Sequence, residues 1–483
     1  MMTITILVLA WTLLWAWLHP PTPLHSGNDL YEQLTVARHL VDGDGFQCDI
    51  AYPLSATFPF AARLPQPLIH RPPGFSLLLT TTVMASDDPA RIIEAVRILQ
   101  LFLLGGIAWI GALALGRRDR FEAMVLWLLL LMVNPLLDMG ARWGHVEVAV
   151  ALVLMIIWTH TGQGTMRFGL IDGLLAGMVA LLRLELFWLP WLWFGARAIR
   201  RGQLDRRWIM AALTIWVLMM TPWTVRNWKV TGDPFFSLQS HAEHRKDTAA
   251  LAGVSPYLTM DPESLTTTLL RDPVPILRKT ARGLLYQVDH LRRWLPWPLL
   301  LAGLVAVLAG RRRRRHQQGD RDSDSLRFHL LLSGFSLGLC ALLYAPLSHD
   351  PRHMLPMLPI LSLELVHAAV LMARSISRSA VSRWSALAVL TILLVVLVPA
   401  RMPGWEKVRQ EAIDNHPRIL RAVQEARDLP PGPILVDQAA VLWYSGRAGM
   451  IKPPSEEDTS KLRNLMIDLR DAPVVTVPLD QLN

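Results

Sequence analysis

Residues 101–120 read LFLLGGIAWIGALALGRRDR. Sixteen residues without a charge run directly into Arg117, Arg118 and Arg120. An apolar run ended by clustered arginines is the pattern of a helix leaving a bilayer on its cytoplasmic side. Runs of the same kind extend in both directions along the chain. Eleven spans can be drawn, at about 3–18, 92–115, 121–137, 146–161, 168–183, 185–197, 208–223, 295–310, 327–345, 353–373 and 384–401.

The remaining basic clusters test that count. Arg197, Arg200, Arg201, Arg206 and Arg207 follow the sixth span, Arg311 to Arg315 the eighth, and Arg374, Arg378 and Arg383 the tenth. With eleven spans, every one of these loops falls on the same side. The N-terminus is then expected inside and the C-terminus outside. Composition agrees, since 52% of the 483 residues are hydrophobic and only 18% are charged, too few charges for a soluble chain of this length. The formal charge of +9 does not point to nucleic acid, because the basic residues sit between apolar runs, where membrane orientation requires them. Cys48 lies in a polar loop and Cys340 in an apolar run, so they are not expected to pair. Residues 2–18 lack the basic start and A-x-A site of a cleaved signal and read as a first helix.

Three segments then face outward: 19–91, 224–294 and the tail from about 402. Within the first, Phe75 to Met84 is too short to span and suits a helix lying on the outer surface. In the tail a helix pattern over 413–428 precedes Ile434-Leu435-Val436. A second helix pattern begins at Ser455 and ends before Val474-Val475-Thr476-Val477. The chain thus divides into a transmembrane module, 1–401, and a small α/β domain, 402–483, near the lower size for independent folding.

Chemistry-bearing residues crowd the first outer segment. It contains Gly27-Asn28-Asp29-Leu30-Tyr31, then Gly43-Asp44-Gly45-Phe46 and His70-Arg71-Pro72-Pro73-Gly74-Phe75. Asp29 precedes a short helix pattern. By spacing alone a helix cap is its commoner role, and a base or metal ligand at the membrane surface is the alternative. His241-x-x-His244 has helical metal-pair spacing, but no carboxylate or cysteine cluster completes it, so it reads as a solvated pair. Glu147 and Arg183 lie near predicted membrane ends, where a charge faces a cavity or a partner.

Taken in order, these motifs resemble the GT-C glycosyltransferases, of the kind related to protein O-mannosyltransferases and the lipid A aminoarabinose transferase. Asp29, Tyr31, Gly43, Gly45 and Arg71-Pro72-Pro73-Gly74-Phe75 match the first outer loop of those enzymes. Pro222-Trp223-Thr224-Val225-Arg226-Asn227-Trp228 is similar to a signature of the bacterial members. Weaker matches are His145-Val146-Glu147, Arg183, Trp443-Tyr444-Ser445-Gly446-Arg447 and Arg352-His353-Met354-Leu355-Pro356, where His353 replaces the usual Tyr. Asn28 stands where a second acidic residue is common. A lone carboxylate is a poor divalent-cation site, so no metal or other cofactor is assigned and metal dependence stays open.

The resemblance implies an α-helical polytopic protein of a bacterial inner membrane, with its site on the non-cytoplasmic face. It implies inverting transfer of a sugar from a polyprenyl-phosphate donor to an envelope glycolipid, glycan or protein. Transfer needs a base for the acceptor hydroxyl and positive charge for the departing phosphate. Asp29 is the expected base, and Arg71, Arg226 and Arg352 the phosphate ligands, since the guanidinium fork donates two bonds. Tyr31, Glu147, Arg183 and His353 are expected substrate contacts. The rival class is a lipid flippase or transporter, which carries its polar residues near the midplane of paired halves.

Overall fold

The apolar runs form helices in the structure, a computed structural model that describes residues 2–18, 28–116, 121–132, 134–160, 166–202, 205–246, 248, 251, 254–295, 321–376 and 403–477 and most of 299–308. Helix α1 (Met2–Leu18) leads to α2 (Asn28–Asp42), short strands β1 (Gln47–Cys48), β2 (Ile50–Ala51) and β3 (Gln66–Pro67), and α3 (Gly74–Val83). The bundle continues with α4 (Pro89–Gly116), α5 (Phe121–Met132), α6 (Pro135–Arg142), α7 (Val146–Thr159), α8 (Met166–Leu182), α9 (Trp188–Arg201) and α10 (Arg206–Thr231). After α11 (Val274–Trp294), α12 (Arg321–Tyr344) and α13 (Leu358–Ile376) complete its described part. The expected span at 384–401 lies outside the described residues, as do Arg117, Arg118, Arg120, Arg378, Arg383 and the run Arg311 to Arg315.

Four described helices are long and apolar enough to cross a bilayer: Pro89–Gly116, Arg206–Thr231, Ser325–Tyr344 and Arg352–Ala373. Their outward faces expose Ile98, Phe102, Val217, Leu218, Leu331 and Phe335, a surface suited to lipid rather than water. The last of the four is almost wholly buried within the bundle. Helices α8 and α10 pack closest. Gly169 and Gly173, one turn apart, let the α10 backbone at Trp208 and Ala212 lie against α8 where any Cβ would collide.

Several boundaries differ from the sequence reading. Helix α10 runs on to Thr231 with Pro222 inside it, so 224–231 is helical and not outer loop. The expected span 121–137 breaks after Met132 and re-enters helix at Pro135, with the Asn134 side chain capping Leu137 N–H at 3.2 Å. The tail helix α14 begins at Pro403 and ends at Asp428. Cys48 and Cys340 are both free and buried.

The tail continues through β4 (Ile434–Val436), α15 (Ala439–Ser445), β5 (Gly449–Ile451), α16 (Glu456–Leu465) and β6 (Val474–Val475). Its parallel sheet has the order β2-β5-β4-β6. The edge strand β2 therefore comes from the first outer segment, about four hundred residues upstream. Ala51 and Ala56 share one apolar core with Leu435, Met450, Leu462 and Met466. The contact continues along α2: Tyr31 meets Tyr444 edge-on at 6.0 Å, and the Arg38 guanidinium lies 4.3 Å from the ring of buried Trp443. The sheet thus straddles the 401/402 division.

Candidate functional site

At one end of the bundle five elements converge. The first turn of α2 presents Asp29 and, one turn on, Glu32. The segment before Pro72-Pro73 presents His70 and Arg71, and it turns sharply because Pro73 caps α3. Helix α7 begins with His145 and Glu147. Arg183 sits in an extended break (φ −153, ψ 98) after α8. Arg352 and His353 lie in a 3₁₀ turn, Pro351–Met357, whose cap Asp350 accepts the Arg352 N–H at 3.0 Å.

The centre of the site is a clamp. Arg71 Nη2 donates to Asp29 Oδ1 at 2.6 Å and Arg352 Nη1 to Asp29 Oδ2 at 2.7 Å, so each carboxylate oxygen takes one guanidinium. Burial alone would push the Asp29 carboxyl up. The Arg71 and Arg352 charges outweigh it and hold the group well below the ordinary carboxylate range. In the state described, Asp29 is an anion with little appetite for a proton.

Around the clamp lies a second layer of buried charge. Arg183 pairs with Glu147 through Nη1 and donates from Nη2 to His353 Nδ1 at 2.5 Å. That bond requires a lone pair on Nδ1, which sets the His353 tautomer. His353 also stacks on Tyr344 at 4.6 Å and 6°. Arg352 Nε is 3.9 Å from Glu147, which ties the two layers together. Sequence reading passed over Glu32. It is buried, takes His70 Nδ1 at 2.8 and 3.1 Å, and lies 3.7 Å from Arg71 Nε. Its spacing of one helical turn from Asp29 was the available signal. Among the described residues five carboxylates (Asp29, Glu32, Glu147, Glu185, Asp350) thus face three guanidiniums (Arg71, Arg183, Arg352). An incoming phosphate must displace a carboxylate from its arginine rather than find one waiting.

The cavity bounded by Asp29, Arg71, Trp143, Glu147, Arg183 and Arg352 encloses about 30 Å³, room for a water or two and not for a sugar. Two expected contacts lie away from it. Arg226 donates to the carbonyls of Leu68 (2.5 Å) and Phe46 (3.0 Å) and stacks over Trp223 at 5.0 Å. It splints residues 46–68 to α10, because a half-buried guanidinium takes the carbonyls its surroundings present. Tyr31 points instead at the tail domain. The pair His241 and His244 is not solvated as expected. His244 is buried and bonded to Thr268 at 3.0 Å, and burial, aided by Lys279, lowers its pKa to about 4. Among the described residues no group of three or more His, Cys, Asp or Glu side chains is placed to hold a metal ion.

No family model matches this sequence, and no curated protein does. Solved structures do match. ArnT from Cupriavidus metallidurans in its apo state aligns with a TM-score of 0.57 at 14% identity, over 98% of this chain and 89% of that one. The same protein bound to undecaprenyl phosphate aligns at 0.54 and 12%, with equal coverage. An oligosaccharyltransferase from Archaeoglobus fulgidus, tethered to an acceptor peptide, aligns at 0.54 and 10%, over 94% of this chain and 64% of that one. At these identities the likeness is one of fold, and it runs through nearly the whole chain: this protein has the fold of the ArnT and oligosaccharyltransferase structures.

Proposed function

We propose that this protein is a membrane glycosyltransferase that takes a sugar from a polyprenyl-phosphate carrier on the non-cytoplasmic face. The observation that carries the reading is the clamp: one carboxylate between two guanidiniums, at the mouth of a cavity where the membrane bundle meets its outer segments. In outline, an acceptor hydroxyl attacks the anomeric carbon, the bond from that carbon to the phosphate oxygen breaks, and the configuration inverts. The proton leaves with Asp29 and the negative charge leaves with the phosphate.

The clamp explains how a carboxylate so acidic can serve as a base. Donor phosphate competes for Arg71 and Arg352, and an Asp29 that shares or loses them becomes more basic. Donor binding and base activation are then one event, and the base stays quiescent until the donor arrives. Glu32, bonded to His70, holds Arg71 from behind, while Asp350 and Glu147 hold Arg352; Glu147 and Arg183 shape the wall for substrate, with His353 bonded to Arg183 behind it. The chemistry is consistent with a glycolipid, glycan or protein hydroxyl acceptor in an envelope.

The test is transfer from a labelled polyprenyl-phosphate sugar in detergent by the native protein and by Asp29→Asn. Asn keeps the size and the helix-capping ability of Asp. Activity is expected to fall by roughly 10²–10⁴ while donor still binds. Near-native transfer to a hydroxyl acceptor by the variant would remove Asp29 from the reaction. Absence of transfer by the native protein from any such donor would remove the function.

A further inference from the structure

A larger cavity lies at the other end of the same helices, and nothing in the proposed reaction uses it. It encloses about 1020 Å³ between the C-terminal turns of α4, α7 and α9, the start of α12 and the middle of α13. Glu147, at the clamp, and Thr159, on this cavity, stand twelve residues apart on α7, about 18 Å along a helix. The two spaces therefore open toward opposite faces of the bundle.

Its lining is amphiphilic in an ordered way. Trp109, Ile110, Leu113 and Leu115 of α4 form an apolar wall, and Arg197 and Arg200 of α9 face the space with His160, His329 and His367. Among the described residues of the lining one carboxylate, Glu364, is present, and it is buried. Trp158 Nε1 donates to it at 2.8 Å, and His329 and His367 stand 3.8 Å away. Trp158 in turn carries the Arg197 guanidinium 5.3 Å above its ring, and Arg197 donates to the carbonyls of Ile157 and Trp158 at 2.8 and 2.6 Å. Arg200 rests 4.5 Å over Phe328 at the exposed mouth. A carboxylate buried in a helix that composition marks as a span is costly, and here it orients the tryptophan on which Arg197 lies.

We infer that this cavity is a second binding site, for a phosphodiester, seated on Arg200 at the mouth with an apolar chain against α4. A lipid headgroup of the leaflet on that side has this chemistry, and free phosphate shares its charged part. Guanidinium suits either, because its planar fork meets two phosphate oxygens. The site is independent of the transferase reading and stands or falls without it.

The delipidated protein in detergent is titrated with phosphatidylglycerol, followed by native mass spectrometry, and separately with inorganic phosphate, followed by calorimetry. Arg200→Gln and Phe328→Leu change the mouth of the cavity. Arg206→Gln removes an exposed arginine at the same end of the bundle, outside the cavity. One tightly held equivalent is expected, weakened about fivefold by Arg200→Gln, less by Phe328→Leu and not by Arg206→Gln. The probe that binds more tightly to the native protein identifies the source as lipid or soluble. Equal weakening by Arg200→Gln and Arg206→Gln would mean general attraction to a basic surface and would overturn the site, as would no saturable binding of either probe.

Discussion

At the scale of single residues, Arg71 has one guanidinium and three claimants. It holds Asp29 at 2.6 Å, lies 3.7 Å from Glu32, and in the proposed reaction receives the donor phosphate. Arg71→Ala is expected to weaken donor use by roughly 1.5–3 kcal/mol, the worth of a hydrogen bond to a charged group. Arg71→Lys should retain part of it, since the charge survives and the fork does not. KM and kcat for a polyprenyl-phosphate donor measure this, and unchanged donor kinetics in a folded Arg71→Ala protein would confine Arg71 to holding the loop. The same residue illustrates how much was legible in advance. Its motif was visible in the chain, but its grip on Asp29 and Glu32 depends on side chains about forty positions apart meeting at one point. Arg226 had an equally suggestive motif and is occupied by carbonyls instead.

At the scale of elements, two contacts lend themselves to measurement. The turn after α2 is pinned by His39, whose ring nitrogens meet Asp49 at 2.9 Å and Asp44 at 3.0 Å. The hydrogen bond to Asp49 is the largest influence; burial opposes it and the bond to Asp44 adds to it, and the imidazole is raised to about 9. Because the folded value exceeds the unfolded one of about 6.5, the stabilisation is complete below that pH and is lost as pH rises through about 9. An NMR titration of the His39 ring should give a midpoint near 9, and a midpoint near the unfolded value would show that the two aspartates do not hold it. The second contact is the seam between α8 and α10. A side chain at Gly173 would meet the Ala212 backbone, which cannot move aside. Gly173→Leu is expected to cost at least the ~1–3 kcal/mol of ordinary overpacking, seen as a lower melting temperature in detergent. An unaltered melt would mean the helices can part freely. This seam was not read from sequence, because glycine spacing in an apolar run does not say which neighbour fills it.

At the scale of the whole molecule, sidedness governs everything proposed for the site. Reporters fused after Arg201 are expected to signal cytoplasm, and reporters near Thr248 or Pro453 the opposite side. A cytoplasmic signal from Pro453 would place the tail domain, and with it the Asp29 end of the bundle, on the wrong face, since β2 and Tyr31 join that tail to the first outer segment. The chain alone was enough to mark the apolar helices, the arginine-flanked loops and the order of motifs around Asp29, because hydrophobic length, charge clusters and turn residues are local properties of a few neighbouring positions. Only the tertiary structure decided which charges pair with Asp29, that Glu32 and His70 stand behind Arg71, that Arg226 is a splint, and that Ile50–Ala51 closes a sheet built from residues near 450. Those outcomes depend on packing between distant segments, where a buried charge or an unpaired strand edge settles on whichever partner the fold brings within reach.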